Sequence, residues 1–445
     1  MGSFPEEFVW GVSTSAYQIE GAAREDGRGE SIWDTFSREE DRVAGGDTGD
    51  VACDHYHRYG SDIEVLKQLG VDAYRFSVSW PRVLPEGKGR VNRKGLDFYD
   101  RLVDGLLEAG VAPWVCLYHW DLPQALEDSG GWLDRDTAWY FADYAETVAD
   151  SLGDRVDRFL LMNEPNVHAL LGYLLGIHAP GRHSIGEFAA AAHHLNLATG
   201  LGYERLRHMG DWQLSTILNL EPVHAGREGD EHEEVSSLFD AFRNRVCLDP
   251  LLKGEYPAQL APMLEAVVRD GDMQQIRREM DFLGLNLYGR SRVILDPGSL
   301  VGVRELGPPE GAQRTHMGWE VYPQAMYEQL LELRDKYGNP PVVITENGAA
   351  FEDRPDATGN VEDAERTAYL AAYLEQVARA REAGADVRGY FAWTLLDNFE
   401  WAEGYGKRFG LVRVDFETQE RIPKASFHWY RETIARNEPV AGSRG

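Results

Sequence analysis

The sequence predicts a (β/α)8 barrel, formed as one unit over residues 1–445 with extended loops after its strands. Three observations predict it. Short apolar runs alternate with amphipathic helical patterns along the whole chain, and eight such runs can be counted. The first run leads into STSAYQIEG and not into a glycine-rich dinucleotide turn, which argues against a doubly wound sheet. A length of 445 residues suits a barrel with long loops, since such barrels routinely exceed the average domain.

The predicted strands run Val9–Thr14, Ala73–Trp80, Ala112–Trp120, Arg158–Asn163, Gln213–Leu220, Phe282–Tyr288, Pro341–Thr345 and Gly389–Thr394. Each is short, apolar and rich in β-branched or aromatic residues, as parallel strands covered on both faces must be. Between them lie helical patterns such as Gly60 to Gly70 and Gly95 to Gly110. Their apolar residues recur at three- and four-residue spacing, and each ends in a glycine suited to a C-cap. The stretch from Asp296 to Arg314, rich in Gly, Pro and Glu, reads as a long surface loop.

Barrel chemistry sits at the C-terminal ends of the strands. There the first strand leads to Gln18 and Glu20, and the second carries Arg75. The third ends in YHWDLP with His119 and Trp120, and the fourth in Asn163–Glu164–Pro165. The sixth carries Asn286 and Tyr288, the seventh Glu346 and Asn347, and the eighth leads to Trp393, Glu400 and Trp401. Singly, each has a structural explanation as a cap, a core ring or an ion pair. Their convergence on one face does not. Glu164 and Glu346 would project into the same barrel mouth, flanked by aromatic platforms and amide or imidazole donors. Glycoside hydrolysis needs such a pair, one carboxyl protonated for the leaving oxygen and one ionised to attack the anomeric carbon. Tryptophan faces suit the C–H face of a sugar, and Gln, His, Asn and Glu suit its hydroxyls.

Composition narrows the partners. With 45 basic and 74 acidic residues the formal charge is −29, which opposes nucleic acid and anionic membranes and favours a neutral small molecule. No run of 18 apolar residues appears. Cys53, Cys116 and Cys247 are odd in number and widely spaced, so no disulfide framework is implied. The first residues, MGSFPEEFVW, have neither a basic nor an apolar leader region, and a cytoplasmic monomer or small homo-oligomer is the expectation. In CDHYHRY, Cys53, Asp54, His55 and His57 crowd together, but the spacing fits no standard zinc pattern; neither a metal nor a cofactor is expected.

Ten motifs in order, FVWGVSTSAYQIEG, SIWDTF, CDHYHRY, YRFSVSWPR, YHWDLPQAL, NEP, MGWEVYP, ITENG, WTLLDNFEWAEGY and KASFHWY, resemble glycoside hydrolase family 1, the β-glucosidase family, over nearly the whole chain. The resemblance implies that Glu164 is the general acid/base and Glu346 the nucleophile of a retaining double displacement, with carboxyls about 5–5.5 Å apart. It implies that Asn163 bonds the sugar 2-hydroxyl and that Arg75 and Tyr288 hold Glu346, with Asn286 nearby. Gln18, His119, Glu400 and Trp401 would bind the remaining hydroxyls, with Trp120 beside them, and Trp393 would lie under the ring. Phe409 would close the pocket, with Trp319 on the leaving-group side.

The implied activity is hydrolysis of terminal β-D-glucosyl residues from β-glucosides or cello-oligosaccharides, with β-galactosides and β-fucosides as further substrates. Phospho-β-glycosidases resembling this family have serine where Glu400 stands, and the position resembling their phosphate-binding tyrosine is Phe409, so a non-phosphorylated substrate is expected. Plant thioglucosidases carry Gln in place of the acid/base, unlike Glu164. A transglycosylase would use the same residues, and a non-catalytic sugar-binding barrel is opposed by the presence of both carboxylates. Leu287, Thr199, Cys247 and His316 depart from the family pattern and bear on the outer pocket.

Overall fold

The computed structural model describes residues 3–438. Eight parallel strands close into a barrel: β1 (Val9–Ser13), β2 (Ala73–Ser77), β3 (Ala112–Cys116), β4 (Arg158–Asn163), β5 (Gln213–Asn219), β6 (Phe282–Asn286), β7 (Val342–Asn347) and β8 (Val387–Trp393). Their order around the barrel follows the chain, and β8 closes on β1 through Val9↔Gly389 to Ser13↔Trp393. Inward residues from all eight strands, Val9, Ala73, Ala112, Trp114, Cys116, Leu160, Ile217, Phe282, Val343 and Phe391, fill the interior on the N-terminal side. Phe391 fits because Gly11 faces it; a Cβ there would lie 2.3 Å from the ring. The plug leaves only the C-terminal mouth for polar groups.

Helices with one apolar face sheathe the barrel. The helix His55–Leu69 ends at Gly70, whose φ of +78° and N–H to Leu66 O make the expected C-cap. Helix Arg93–Glu108 buries Leu96, Phe98, Tyr99, Leu102, Val103 and Leu106. Among the described residues no helix is long and apolar enough to cross a membrane.

Most strand boundaries differ from the sequence expectation by one to four residues, and β6 stops at Asn286, which leaves Tyr288 in the loop after it. Strand β2 stops at Ser77 and Trp80–Val83 is a helical turn, because Pro81 cannot donate to a ladder but suits a first turn. Strand β3 stops at Cys116, before the YHWDLP motif. Strand β7 runs on to Asn347, so Glu346 lies within the ladder, opposite Asn286. The expected loop 296–314 is partly ordered as strand. Val303–Glu305 pairs antiparallel with Ser291–Leu295, which pairs with Val223–Ala225 to make a small sheet over the loops after β5 and β6. Val293 and Val303 bury against Val235, enough apolar surface to hold it.

Candidate active site

The strands that carry the two carboxylates both change register just before them. Pairing of β4 with β5 shifts between Leu160 and Asn163, and pairing of β7 with β6 shifts between Ile344 and Glu346. Such bulges re-aim a side chain at the end of a ladder. Glu164 then takes a left-handed backbone, φ +48° and ψ 54°, anchored by its N–H on Ile217 O at 2.9 Å. A non-glycine residue there costs about 1–3 kcal/mol, and Pro165 follows at once to start the helix Pro165–Ala169. Trp120 (φ +76°) and Trp401 (φ +49°) are held the same way. Three wall residues of one pocket therefore store backbone strain.

Glu346 is held at both oxygens. Arg75 donates from Nη1 to Oε1 at 2.5 Å, and the Tyr288 hydroxyl donates to Oε2 at 2.6 Å. The glycine of TENG is forced, since a Cβ on Gly348 would stand 1.8 Å from the carbonyl oxygen of Trp393.

Arginine has no acceptor, and that sets the orientation of every amide around it. Arg75 Nη2 donates to Asn163 Oδ1 at 2.6 Å, so Asn163 Nδ2 must face His119 Nε2, 3.0 Å away. His119 Nε2 therefore accepts, and the ring proton sits on Nδ1, which has no hydrogen-bond partner among the described residues. Burial, helped by the charge of Arg75, holds the His119 pKa well below the usual imidazole range, so the ring is neutral. Asn286 follows the same logic. Its Nδ2 donates to Asn163 Oδ1 at 3.1 Å and to Glu164 Oε1 at 2.8 Å, while its Oδ1 accepts from Thr345 at 2.7 Å. Arg75, Asn163 and Asn286 thus link the two carboxyls in one network.

Glu164 is buried, 4 % exposed. Burial and then the charge of Glu346 raise its pKa to about 7, against amide donation from Asn286 and Asn219 and the charge of Arg243. Burial and the charges of Glu346 and Glu164 likewise raise Glu400 to about 8. Two carboxyls of this pocket therefore carry protons near neutrality, and one stands in an ion pair.

Aromatic rings close the space. His119 stacks at 6.0 Å on Trp393 and 5.7 Å on Trp401. Trp393 and Phe409 cluster with Ala350, and Tyr288 packs against them. Trp319, 39 % exposed, meets Tyr288 at 5.6 Å and Phe409 at 6.1 Å on the outer side. Trp120 packs against His119 and Trp401. It is 4 % exposed, lies between Trp401 and His178, and its Nε1 donates to Asn163 O at 3.0 Å. Gln18 spends its amide on Ser15, Asn398 and the carbonyl of Phe399, with Glu400 at 3.4 Å.

Of the residues of CDHYHRY only Asp54 and His57 meet, and Cys53 and His55 turn to other partners. His55 bonds Asp62, His57 bonds Asp54 and Glu25, and Cys53 donates to Asp397 O. Thr199 and Cys247 lie behind Pro165 in a small buried cavity and not in the outer pocket, where the family pattern had suggested them. Sequence reasoning missed Asn219, Arg243 and His178. Strand β5 was the one strand for which no polar end residue was read, although ILNLEP places Asn219 at its tip.

The model of the family described as Glycosyl hydrolase family 1 matches residues 1–439. The chain is 46% identical to β-glucosidase A of Acetivibrio thermocellus over 98% of this chain and 99% of that protein. It is 47% identical to a bifunctional β-D-glucosidase/β-D-fucosidase of Bifidobacterium breve, over 97% of this chain and 98% of that one. Among solved structures it resembles the β-glucosidase of Thermotoga maritima in complex with deoxynojirimycin, with a TM-score of 0.95, 44% identity, and coverage of 98% of this chain and 100% of that one.

Proposed function

This chain belongs to glycosyl hydrolase family 1, a family of retaining glycosidases, and from that premise we infer that Glu164 and Glu346 divide a double displacement between them. The protein is a glycoside hydrolase of the β-glucosidase type. One observation carries the assignment of roles. Of the two carboxyls linked by Asn163 and Asn286, one is paired with Arg75 and the other is raised to about 7.

In the first step Glu346 attacks the anomeric carbon and Glu164 gives its proton to the departing glycosidic oxygen. The bond from sugar to leaving oxygen breaks as the ester to Glu346 forms. Arg75 and Tyr288 aim the attacking carboxylate. Once the ester forms, the negative charge on Glu346 is gone, and with it the repulsion that helped raise Glu164. Glu164 then ionises more readily, which is what its second role needs. It takes a proton from water as that water attacks the anomeric carbon and releases Glu346. Asn163 serves the 2-hydroxyl, where contacts strengthen as the transition state forms. His119, Glu400, Gln18 and Trp401 serve the other hydroxyls, Trp393 the sugar face, Phe409 and Trp319 the entrance.

The substrate is a small, non-phosphorylated β-glycoside. Lys407 bonds the carbonyl of His316 and pairs with Glu403, and Arg408 pairs with Asp397, so neither basic residue of GKRFG is open to a phosphate. Because Glu400 is raised to about 8, the exclusion of phosphate rests on these engaged cations more than on repulsion. Cello-oligosaccharides, as in cellulose breakdown, are the natural class, with β-fucosides as a second, in keeping with the name of the Bifidobacterium breve relative. The buried free cysteines suit a cytoplasmic location. A panel of nitrophenyl β-glycosides and cellobiose, followed by NMR of the first product, tests the reading. β-Glucose should appear first and mutarotate later; α-glucose appearing first would make the enzyme inverting.

A further inference from the structure

The end of strand β5 is built around the acid/base. Asn219 Nδ2 donates to Glu164 Oε1 at 2.8 Å, alongside Asn286 on the same oxygen. Behind Asn219 stands Arg243, in the π-helical segment Ala241–Arg245, a rare backbone form that tends to mark functional sites. Arg243 Nη2 donates to Asn219 Oδ1 at 2.8 Å, Nη1 to Asn219 O at 3.1 Å, and Nε to Glu221 Oε1 at 3.1 Å. Asn166, two residues after Glu164, donates to both Asn219 O and Arg243 O, tying the segment to the helix that follows the acid. Arg243 is only 11% exposed at its side chain, and Glu221 only 16%.

We propose that Arg243 is a positioning residue that decides which oxygen of Glu164 holds the catalytic proton. The inference rests on the reading of Glu164 as acid/base. A guanidinium can only donate, so the Asn219 oxygen must face Arg243 and its N–H must face Glu164. Oε1 then receives two N–H donors, and a proton placed there would clash with both. The proton is confined to Oε2, which takes no hydrogen bond from the described residues and is left for the leaving oxygen. Without Arg243, the Asn219 carboxamide is free to turn its oxygen toward Glu164. That orientation favours a proton on Oε1, facing away from the bond to be broken.

The charged and titratable groups facing Glu164 are Glu346 from β7, Glu400 from the loop after β8, Tyr288 from the loop after β6, and Arg243. Of these, Arg243 is the one whose charge lowers its pKa. The device continues outward. Glu221 also accepts from Ser291, whose hydroxyl reaches Glu305, so the guanidinium is itself held in place by the small sheet.

The test compares Arg243→Met, Arg243→Lys, Asn219→Ala and the double variant Arg243→Met/Asn219→Ala on dinitrophenyl and alkyl β-glucosides across pH. A dinitrophenolate leaves without a proton, so Arg243→Met should keep kcat/KM for that substrate within about threefold while losing about 10–100-fold on the alkyl glucoside, the size of a general-acid contribution. The basic limb of its pH profile should move up by about 0.5–1 unit, because a lowering charge and a lowering N–H are lost. Arg243→Lys should return most of the pH shift but only part of the rate, since an ammonium cannot fork across both Asn219 oxygens. At a pH below the basic limb, the double variant should be no slower on the alkyl glucoside than Asn219→Ala, as an effect on the proton's position exerted through Asn219 requires. Equal losses on both substrates, an unmoved basic limb, or additive losses in the double variant would each overturn the proposal. Should Arg243→Met fail to fold, Asn219→Ala and Arg243→Lys carry the same comparison. Glu164→Ala separates the two readings: if it lacks leaving-group dependence, the acid/base role fails; if it shows it and Arg243→Met does not, only the positioning role fails.

Discussion

In the proposed mechanism Glu164 holds a proton near neutral pH and loses it one step later, a role that burial and the neighbouring charge of Glu346 suit. With its pKa raised to about 7, the free enzyme is competent below that pH and loses its acid as pH rises through it, so kcat/KM should fall on a basic limb near pH 7. Glu346→Gln removes the charge that raises Glu164, so besides abolishing turnover it should shift the Glu164 titration downward, measurable by NMR of labelled glutamate. An unmoved titration would remove Glu346 as a cause. Glu164→Ala should still form the glycosyl-enzyme from substrates with good leaving groups, stall at deglycosylation, and be rescued by azide as a β-glycosyl azide. An absent azide product would exclude the acid/base role.

Elements do what single residues cannot, which is to hold the loops that carry the site. Lys424 bonds Asp353 and lies 2.7 Å from Asp397 Oδ1, and Arg366 joins Asp353 to Asp363. Arg366 also donates to the carbonyls of Ala349, after β7, and of Arg408, next to Phe409. Asp397 in turn accepts from Arg408 and from the N–H of Gly410. The network therefore clamps the loop after β7, which follows Glu346, to the loop that carries Phe409. Lys424, Asp353, Asp363, Arg366 and Asp397 are all buried, and Arg408 is half-buried, so removing one buried partner strands the others in a low-dielectric interior. Lys424→Met should lower stability by about 3–5 kcal/mol in chemical denaturation. A loss below about 1 kcal/mol would place the network in the class of weak surface pairs.

At the scale of the molecule, a formal charge of −29 accompanies a proposed substrate that carries none. Adding salt up to physiological strength, where the screening length falls to about 8 Å, should raise the melting temperature by screening self-repulsion. The same salt should leave kcat/KM for a neutral β-glucoside unchanged, because no charge steers the substrate. A strong salt dependence of that ratio would point to a charged ligand instead.

Much of the molecule was legible in the sequence because it depends on neighbours along the chain. Apolar runs of strand length, helices ending at Gly70 and near Gly110, and polar residues at strand tips are all local patterns, and they were enough for the barrel and for Glu164, Glu346, Arg75 and Asn163 at its mouth. The bulges before Asn163 and Glu346, the left-handed backbone of Glu164, and the strand at Val303–Glu305 depend on partners from other strands and left no local signature. Trp120 shows the same limit: its packing against Trp401 and His178 depends on partners far away along the chain. The sequence by itself determined which groups reach the mouth, since strand period and strand order suffice for that. Only the tertiary structure decided how each group is turned and where its protons sit. Hydrogen-bond direction is set by donors that cannot accept, and Arg75 and Arg243 reach the amides they orient only once the barrel has closed.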